Sequence, residues 1–231
     1  MNASGVGSTT ARDLLALAES ASGAVVFRPT TVHPFLHPEF RTLHNPGYDR
    51  YLPLVGEIKA FGKPIIGSVA GATADEYLTL ARAFGEAGAD LIEVNVAEPY
   101  VAATLDPWDD PAAFAKMLEA VRGAAARPIM LRCPERIPVP LTDLRQILND
   151  AGVDAVVLAN NFDVMEKFFL ARGAGPLPTV VAFGGVKSGF DLSSALRKGA
   201  SAVEVSSPLA VEGPRLFARL RRELEQLDGH H

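Results

Sequence analysis

The chain has 231 residues, 48% of them hydrophobic and 21% charged, with a single cysteine and a formal net charge of -5. This composition excludes a disordered or fibrous chain, and no apolar run reaches the roughly 18 residues of a membrane span or follows a charged leader, so a cytoplasmic location is expected. The acidic balance argues against nucleic acid or a membrane surface as partner, and Cys133 alone makes neither a disulfide nor a thiolate metal cage, so redox chemistry here needs a cofactor.

Along the chain, short β-branched runs alternate with amphipathic stretches, the pattern of repeated βα units around a parallel sheet. Strands are predicted at residues 1–3, 23–28, 64–70, 91–97, 128–133, 155–160, 179–184 and 202–206. Helices are predicted at 11–21, 48–61, 73–86, 111–126, 141–150, 164–171, 190–198 and 214–227. Gly88, Gly152 and Gly199 each stand where a helix stops before the next strand. A doubly wound open sheet has the same local pattern, but eight such units in this length predict a compact α/β fold, a (β/α)8 TIM barrel over residues 1–231 as one domain, with a truncated first strand.

In a barrel the chemistry sits at the C-terminal ends of the strands, which directs attention to one residue set. The first strand ends at Ala3, Ser4 and Gly5, and the second at Arg28, before a Pro-rich loop with His33, His37 and His44. The histidine spacing matches no ligand pair on a helix, so no metal is expected. The third strand ends at Ser68 to Gly71, and the fourth offers Asn95 and Glu98, ahead of Trp108, which is expected to pack before the next helix. The remaining ends are Arg132-Cys133, Asn160-Asn161, Gly184-Gly185 and Ser206-Ser207.

Each residue type suggests a role beside a plainer alternative. Arg28 and Arg132 suit an anionic ligand or a developing negative charge, or else form internal ion pairs with Glu93, Glu98 or Glu135. Glu98 is a candidate general base, or the partner in such a pair. Asn95 and Asn160 can hydrogen-bond a planar heterocycle or tie off a strand end. The Gly184-Gly185 turn offers bare amides to a phosphate, with Lys187, Ser188 and the following helix as further donors, or is simply a tight turn.

At these same positions the chain resembles the class 1 dihydroorotate dehydrogenase family of FMN-dependent barrels. The resemblance runs from Met1 to about Leu220 and is carried by Met1 to Gly5, Arg28 with Thr30-Thr31, Asn45-Pro46-Gly47, Ser68 to Gly71, Asn95 with Pro99, Gly184-Gly185, and Gly199 to Ala202. It implies a flavoprotein oxidoreductase acting on a CH–CH bond, with FMN as cofactor. Ala3, Ser4, Gly5 and Asn95 would contact the flavin, and Gly184, Gly185, Ser206 and Ser207 its phosphate. Two lysines of the family, one beside the flavin pyrimidine edge, fall on Arg132 and Arg28, which keep the positive charge.

The departures concern the substrate. The family motif Asn-x-Ser-Cys-Pro-Asn reads Asn95-Val96-Ala97-Glu98-Pro99-Tyr100, so the base becomes Glu98 and a substrate amide becomes Tyr100. Glu39 falls near a second substrate asparagine, and the long segment after the sixth strand is missing between Asn161 and Pro178. The expectation is an FMN-dependent oxidoreductase with an altered pocket for a small-molecule substrate other than dihydroorotate. The alternative is a non-redox degenerate barrel that binds a phosphorylated ligand or serves as a partner subunit, with Glu98 paired to Arg28 or Arg132. Whether it forms a homo-oligomer is left open by the sequence, as is the sign of the shift at Glu98, where burial and the two arginines act in opposite directions.

Overall fold

Seven short strands, Val25–Val26 (β1), Ile65–Val69 (β2), Leu91–Asn95 (β3), Ile129–Arg132 (β4), Ala155–Ala159 (β5), Thr179–Phe183 (β6) and Ala202–Glu204 (β7), form one parallel sheet in consecutive order. The computed structural model describes residues 1–5, 7–35, 45–98, 108–159, 162–171 and 175–228. His37, Glu39, His44, Tyr100, Asn160 and Asn161 lie outside these, so the expectations placed on them have no structural counterpart here.

The helices that return the chain are Ala11–Glu19 (α1), Leu52–Lys59 (α2), Ala74–Ala87 (α3), Pro111–Ala125 (α4), Leu141–Asp150 (α5), Phe162–Leu170 (α6), Gly189–Arg197 (α7), Ser207–Glu212 (α8) and Arg215–Asp228 (α9). None of the described helices is long and apolar enough to cross a membrane. Side-chain oxygens start several of them: Thr10 and Asp13 form a capping box on α1, Asp110 caps α4, and Ser188 and Asp191 form a second box on α7. Gly88, Gly152 and Gly199 stop α3, α5 and α7 with φ of 99°, 62° and 100°, as their spacing predicts.

Among the described residues the expected eight strands become seven and a bridge. Met1 to Ala3 form no strand of their own; Asn2 pairs with Val205 in a parallel bridge, with Ala3 N donating to Val205 O at 2.9 Å and Val205 N to Met1 O at 3.0 Å. On its other side no backbone ladder reaches β1. Instead the Asn2 side chain takes that place: its Nδ2 donates to Val26 O at 2.7 Å and its Oδ1 accepts from Val26 N at 2.9 Å. A primary amide carries the same donor and acceptor as a peptide group, so it can satisfy a strand edge where the chain itself does not reach. β1 is also shorter than predicted. Pro29 has no N–H, and the pairing resumes beyond it at Thr30, bridged to Val69.

Alternation along the strands divides the core in two. Phe27, Val69, Ile92, Val94, Leu131 and Val156 face the helices in the larger cluster, where Phe27 meets Tyr51 and Phe84 edge-on. Val26, Ile66, Met130, Val157 and Val181 fill the concave side of the sheet. One step further toward the C-terminal ends, the same inward register carries Arg28, Ser68, Glu93, Arg132 and Glu204, all buried.

Replacing Asn2 tests its double contact. Asn2→Ala leaves the buried Val26 N–H and C=O without partners, at a cost of about 1–3 kcal/mol for each group. Urea denaturation should therefore show a clear loss of stability; an unchanged midpoint would mean that the sheet ends hold together without the amide.

Candidate functional site at the strand ends

Charge is concentrated on the inward face just below the strand ends. Ser68 Oγ donates to Glu93 Oε1 at 2.6 Å. Arg132 Nη1 lies 3.7 Å from Glu93 Oε2 and donates to Glu204 Oε2. The guanidinium carbon stands 4.1 Å from the centroid of the Phe183 ring, a cation–π contact. Of the partners foreseen for Arg132, only Glu93 is found; Glu98 and Glu135 are not in ion-pair contact, and Glu204 is the partner the sequence did not suggest.

Two carboxylates thus share one guanidinium, and among the described residues no second cation lies within ion-pair distance of either. Burial disfavours the charged form of Arg132, but Glu204 and Glu93 outweigh it and hold its pKa above the ordinary value. Burial pushes Glu204 up more strongly than Arg132 pulls it down, and Glu93 adds to the rise. Burial thus holds Glu204 toward its neutral form. Cys133, next in the chain, points into the helix-side core, and burial pushes its thiol up to about 12.

Arg28 is only 3% exposed and has no carboxylate within ion-pair distance among the described residues. Its Nη1 donates to Thr9 Oγ1 at 3.2 Å and its buried Nε has no partner. A buried cation without a counter-ion is costly unless something anionic completes it. Glu98 is half-buried and makes no hydrogen bond or ion pair with the described residues, so its expected pairing with Arg28 or Arg132 is absent. Its pKa is raised. Burial dominates, Arg28 and Arg132 oppose it, and Glu93 adds to it, which settles the sign that the sequence left open.

Asn95 is mostly occupied locally. Its Oδ1 accepts from Ala97 N at 2.9 Å, its carbonyl accepts from the Tyr77 hydroxyl at 2.8 Å, and its Nδ2 reaches Ser4 Oγ at 3.4 Å. The structure thus brings Ser4 to Asn95, with Ala3 buried and Gly5 beside them.

The turn after β6 differs in detail from expectation. Gly184 and Gly185 have φ of 84° and 70°, and a side chain at Gly184 would meet nothing within 4 Å. The amides of Gly185, Val186, Ser206 and Ser207 make no hydrogen bond with the described residues. These four amides are the donors near the turn that the described chain does not use. The further donors foreseen do not: Asp191 Oδ2 accepts from the amides of Lys187 and Ser188 at 2.9 Å each, and Glu223 Oε2 from Gly189 N at 2.6 Å. The first turn of α7 is closed by the chain's own carboxylates, which would repel a second anion.

Of the plainer readings, Trp108 packs as expected, its ring centroid 5.1 Å from that of Phe114. The residues missed are Asn2 as a structural amide and Glu204. The signal for Glu204 was present: a charged residue in Ala202-Val203-Glu204 at the inward position of an otherwise apolar strand, as Glu93 is in β3.

A parallel βα fold with a polar, partly open mouth at its strand ends defines a class of small-molecule binding proteins and enzymes. No protein-family model matches the chain. Among curated proteins it is 27% identical to a dihydroorotate dehydrogenase (fumarate) of Trypanosoma cruzi, over 98% of this chain and 88% of that protein. It is 26% identical to the catalytic subunit of a dihydroorotate dehydrogenase B (NAD(+)) of Methanothermobacter thermautotrophicus, over 96% of this chain and 87% of that one. A solved structure of DHODH from Eimeria tenella in complex with ferulenol superposes with a TM-score of 0.81 at 15% identity, covering 98% of this chain and 80% of the other, a likeness of fold. The resemblance read from the motifs is thus shown: the chain is similar over most of its length to the class 1 dihydroorotate dehydrogenases, in a divergent form. It is also shorter, since the trypanosomal alignment runs over 277 positions against 231 residues here.

The shared guanidinium predicts an asymmetry. Arg132→Met strands two buried carboxylates and should cost about 3–5 kcal/mol, whereas Glu204→Gln keeps an acceptor on Arg132 and should cost much less. Stranded carboxylates have raised folded-state pKa values, so their stability contribution is complete below the unfolded pKa and is lost as pH rises. The Arg132→Met deficit should accordingly shrink from about pH 8 to pH 5. Equal losses for the two variants, or a deficit that grows in acid, would contradict the cluster.

Proposed function

We propose that the chain is an FMN-dependent oxidoreductase of the dihydroorotate dehydrogenase type, built on a (β/α)8 barrel whose first stave is Met1 to Ala3, with an altered substrate pocket. The similarity to enzymes of that name supports the class of reaction. The observation that carries the chemistry is Glu98: a half-buried carboxylate with raised pKa and no partner among the described residues, at the strand end where the related motif places its base.

The residues fit the cofactor at several points. The open amides of Gly185, Val186, Ser206 and Ser207 would hold the FMN phosphate, and Ala3, Ser4, Gly5 and Asn95 would line the ring. Arg28 would supply positive charge on the mouth side, and Arg132, held by Glu93 and Glu204, guanidinium donors beside it. FMN, when bound, supplies a hydride acceptor. Glu98 takes up the proton that leaves the neighbouring substrate carbon, and burial makes it a stronger base than a solvated carboxylate. Arg28, with an unpartnered buried Nε, suits an anionic group on the substrate.

The names of the relatives point to dihydroorotate itself. The residues of the mouth point to poor use of it, because Glu98 adds a negative charge where an anionic substrate would come closest. Purified protein saturated with FMN is expected to turn yellow and to oxidise dihydroorotate slowly. Robust turnover would remove the altered pocket from the reading, and a colourless protein that refuses FMN would remove the flavin.

Two variants separate the roles. Glu98→Gln should abolish turnover while leaving stability and FMN affinity nearly unchanged, because Glu98 has no ion pair among the described residues to lose. Wild-type kcat/KM should rise with pH through an apparent pKa above the usual carboxylate range. Gly185→Asp should weaken FMN binding at least tenfold, about 1.4 kcal/mol, by repelling the phosphate, whereas Gly123→Asp should leave it alone. Equal FMN titrations for wild type and Gly185→Asp would place the phosphate elsewhere.

A further inference from the structure

Arg132 is held from one side only. Its Nη1 faces both Glu93 and Glu204, and its guanidinium makes no other hydrogen bond with the described residues. Its side chain is only 7% exposed, and Glu93 and Glu204 are both fully buried. Both carboxylates meet the one nitrogen, so Nε and Nη2 are the guanidinium donors left for another partner. One oxygen of each carboxylate, Glu93 Oε2 and Glu204 Oε1, is buried without a hydrogen-bond donor among the described residues.

Resting on the flavin reading above, we propose that Glu204 is a positioning residue: with Glu93 it fixes the Arg132 guanidinium against Phe183, and through it sets the charge presented to the electron-rich edge of a reduced flavin. With one ionised carboxylate the cluster is neutral; with two it is net negative. Reduced flavin is anionic at that edge, so it is favoured above the neutral cluster and disfavoured above the negative one. The groups facing Glu204 are Arg132 from β4, Glu93 from β3 and the Met1 nitrogen from the N-terminal segment, and Glu98 acts on Arg132 as well. Burial already holds Glu204 toward its neutral form, so ionisation belongs to the alkaline side of neutrality.

The test is the midpoint potential of the FMN-loaded protein, followed from about pH 6 to pH 9, in wild type, Glu204→Gln and Arg132→Met. Glu204→Gln keeps the shape and the acceptor but cannot ionise. In wild type, ionisation of Glu204 should weaken binding of reduced relative to oxidised FMN about tenfold, a fall of about 30 mV beyond that of free FMN. Glu204→Gln should abolish this extra fall, and Arg132→Met should lower the potential across the whole range. Parallel curves for wild type and Glu204→Gln overturn the role even if the variant melts earlier, because a purely structural residue moves stability and not the potential. A wild-type protein that takes up no FMN overturns the flavin reading and this role with it; a yellow protein with parallel curves overturns this role alone.

Discussion

The amide side chain of Asn2 holds the two ends of the sheet together. Its residue is bridged to Val205 through the backbone, and its own side chain pairs with both polar groups of Val26. Without that double contact β1 and β7 would be free edges, and inward residues of β1 would have no reason to face those of β7. Arg28, which follows β1, and Glu204, the last residue of β7, share one mouth because of it. The site is therefore a product of these two contacts as much as of sequence motifs.

Within that frame the inward register sets a conflict between burial and charge. Lower in the sheet the inward positions are apolar and packed. At the strand ends they become arginine, glutamate and serine, although their burial is no less complete. Desolvation there acts on every ion, and the chain answers it unequally. Among the described residues Arg132 receives two carboxylates, Arg28 receives only a hydroxyl, and Glu98 receives nothing. Partial compensation of this kind is expected where ligands complete the electrostatics, since a fully paired network would have no use for them.

Most of the architecture was readable in the sequence, because parallel strands covered on both faces appear as dense β-branched runs and helix exits carry glycine. The limits of β1 were not, since Arg28 fits the strand pattern and only Pro29, with no N–H to give, interrupts it. The helix predicted over 48–61 opens as a short 3₁₀ turn, Tyr48–Arg50, before Leu52–Lys59. In the site, Arg28, Arg132 and Glu98 were found from their places at strand ends, but their partners were not. Which carboxylate meets Arg132 depends on how far β7 curls toward β4, three staves away in the sheet, and no local spacing encodes that distance. The self-capped start of α7 was readable in principle: Ser188 followed three residues later by Asp191 is a capping signature, which assigns those amides to the helix before any ligand arrives.

The lone thiol gives the molecule a built-in reporter. Cys133 follows the strand that carries Arg132, lies in the helix-side core, and is held in its protonated form far above neutral pH. Alkylating reagents attack thiolates, so in the folded protein this sulfur is both out of reach and chemically quiet. Its reaction rate then measures how often the sheet and its covering helices open around β4, with no label to introduce and no second cysteine to confuse the signal.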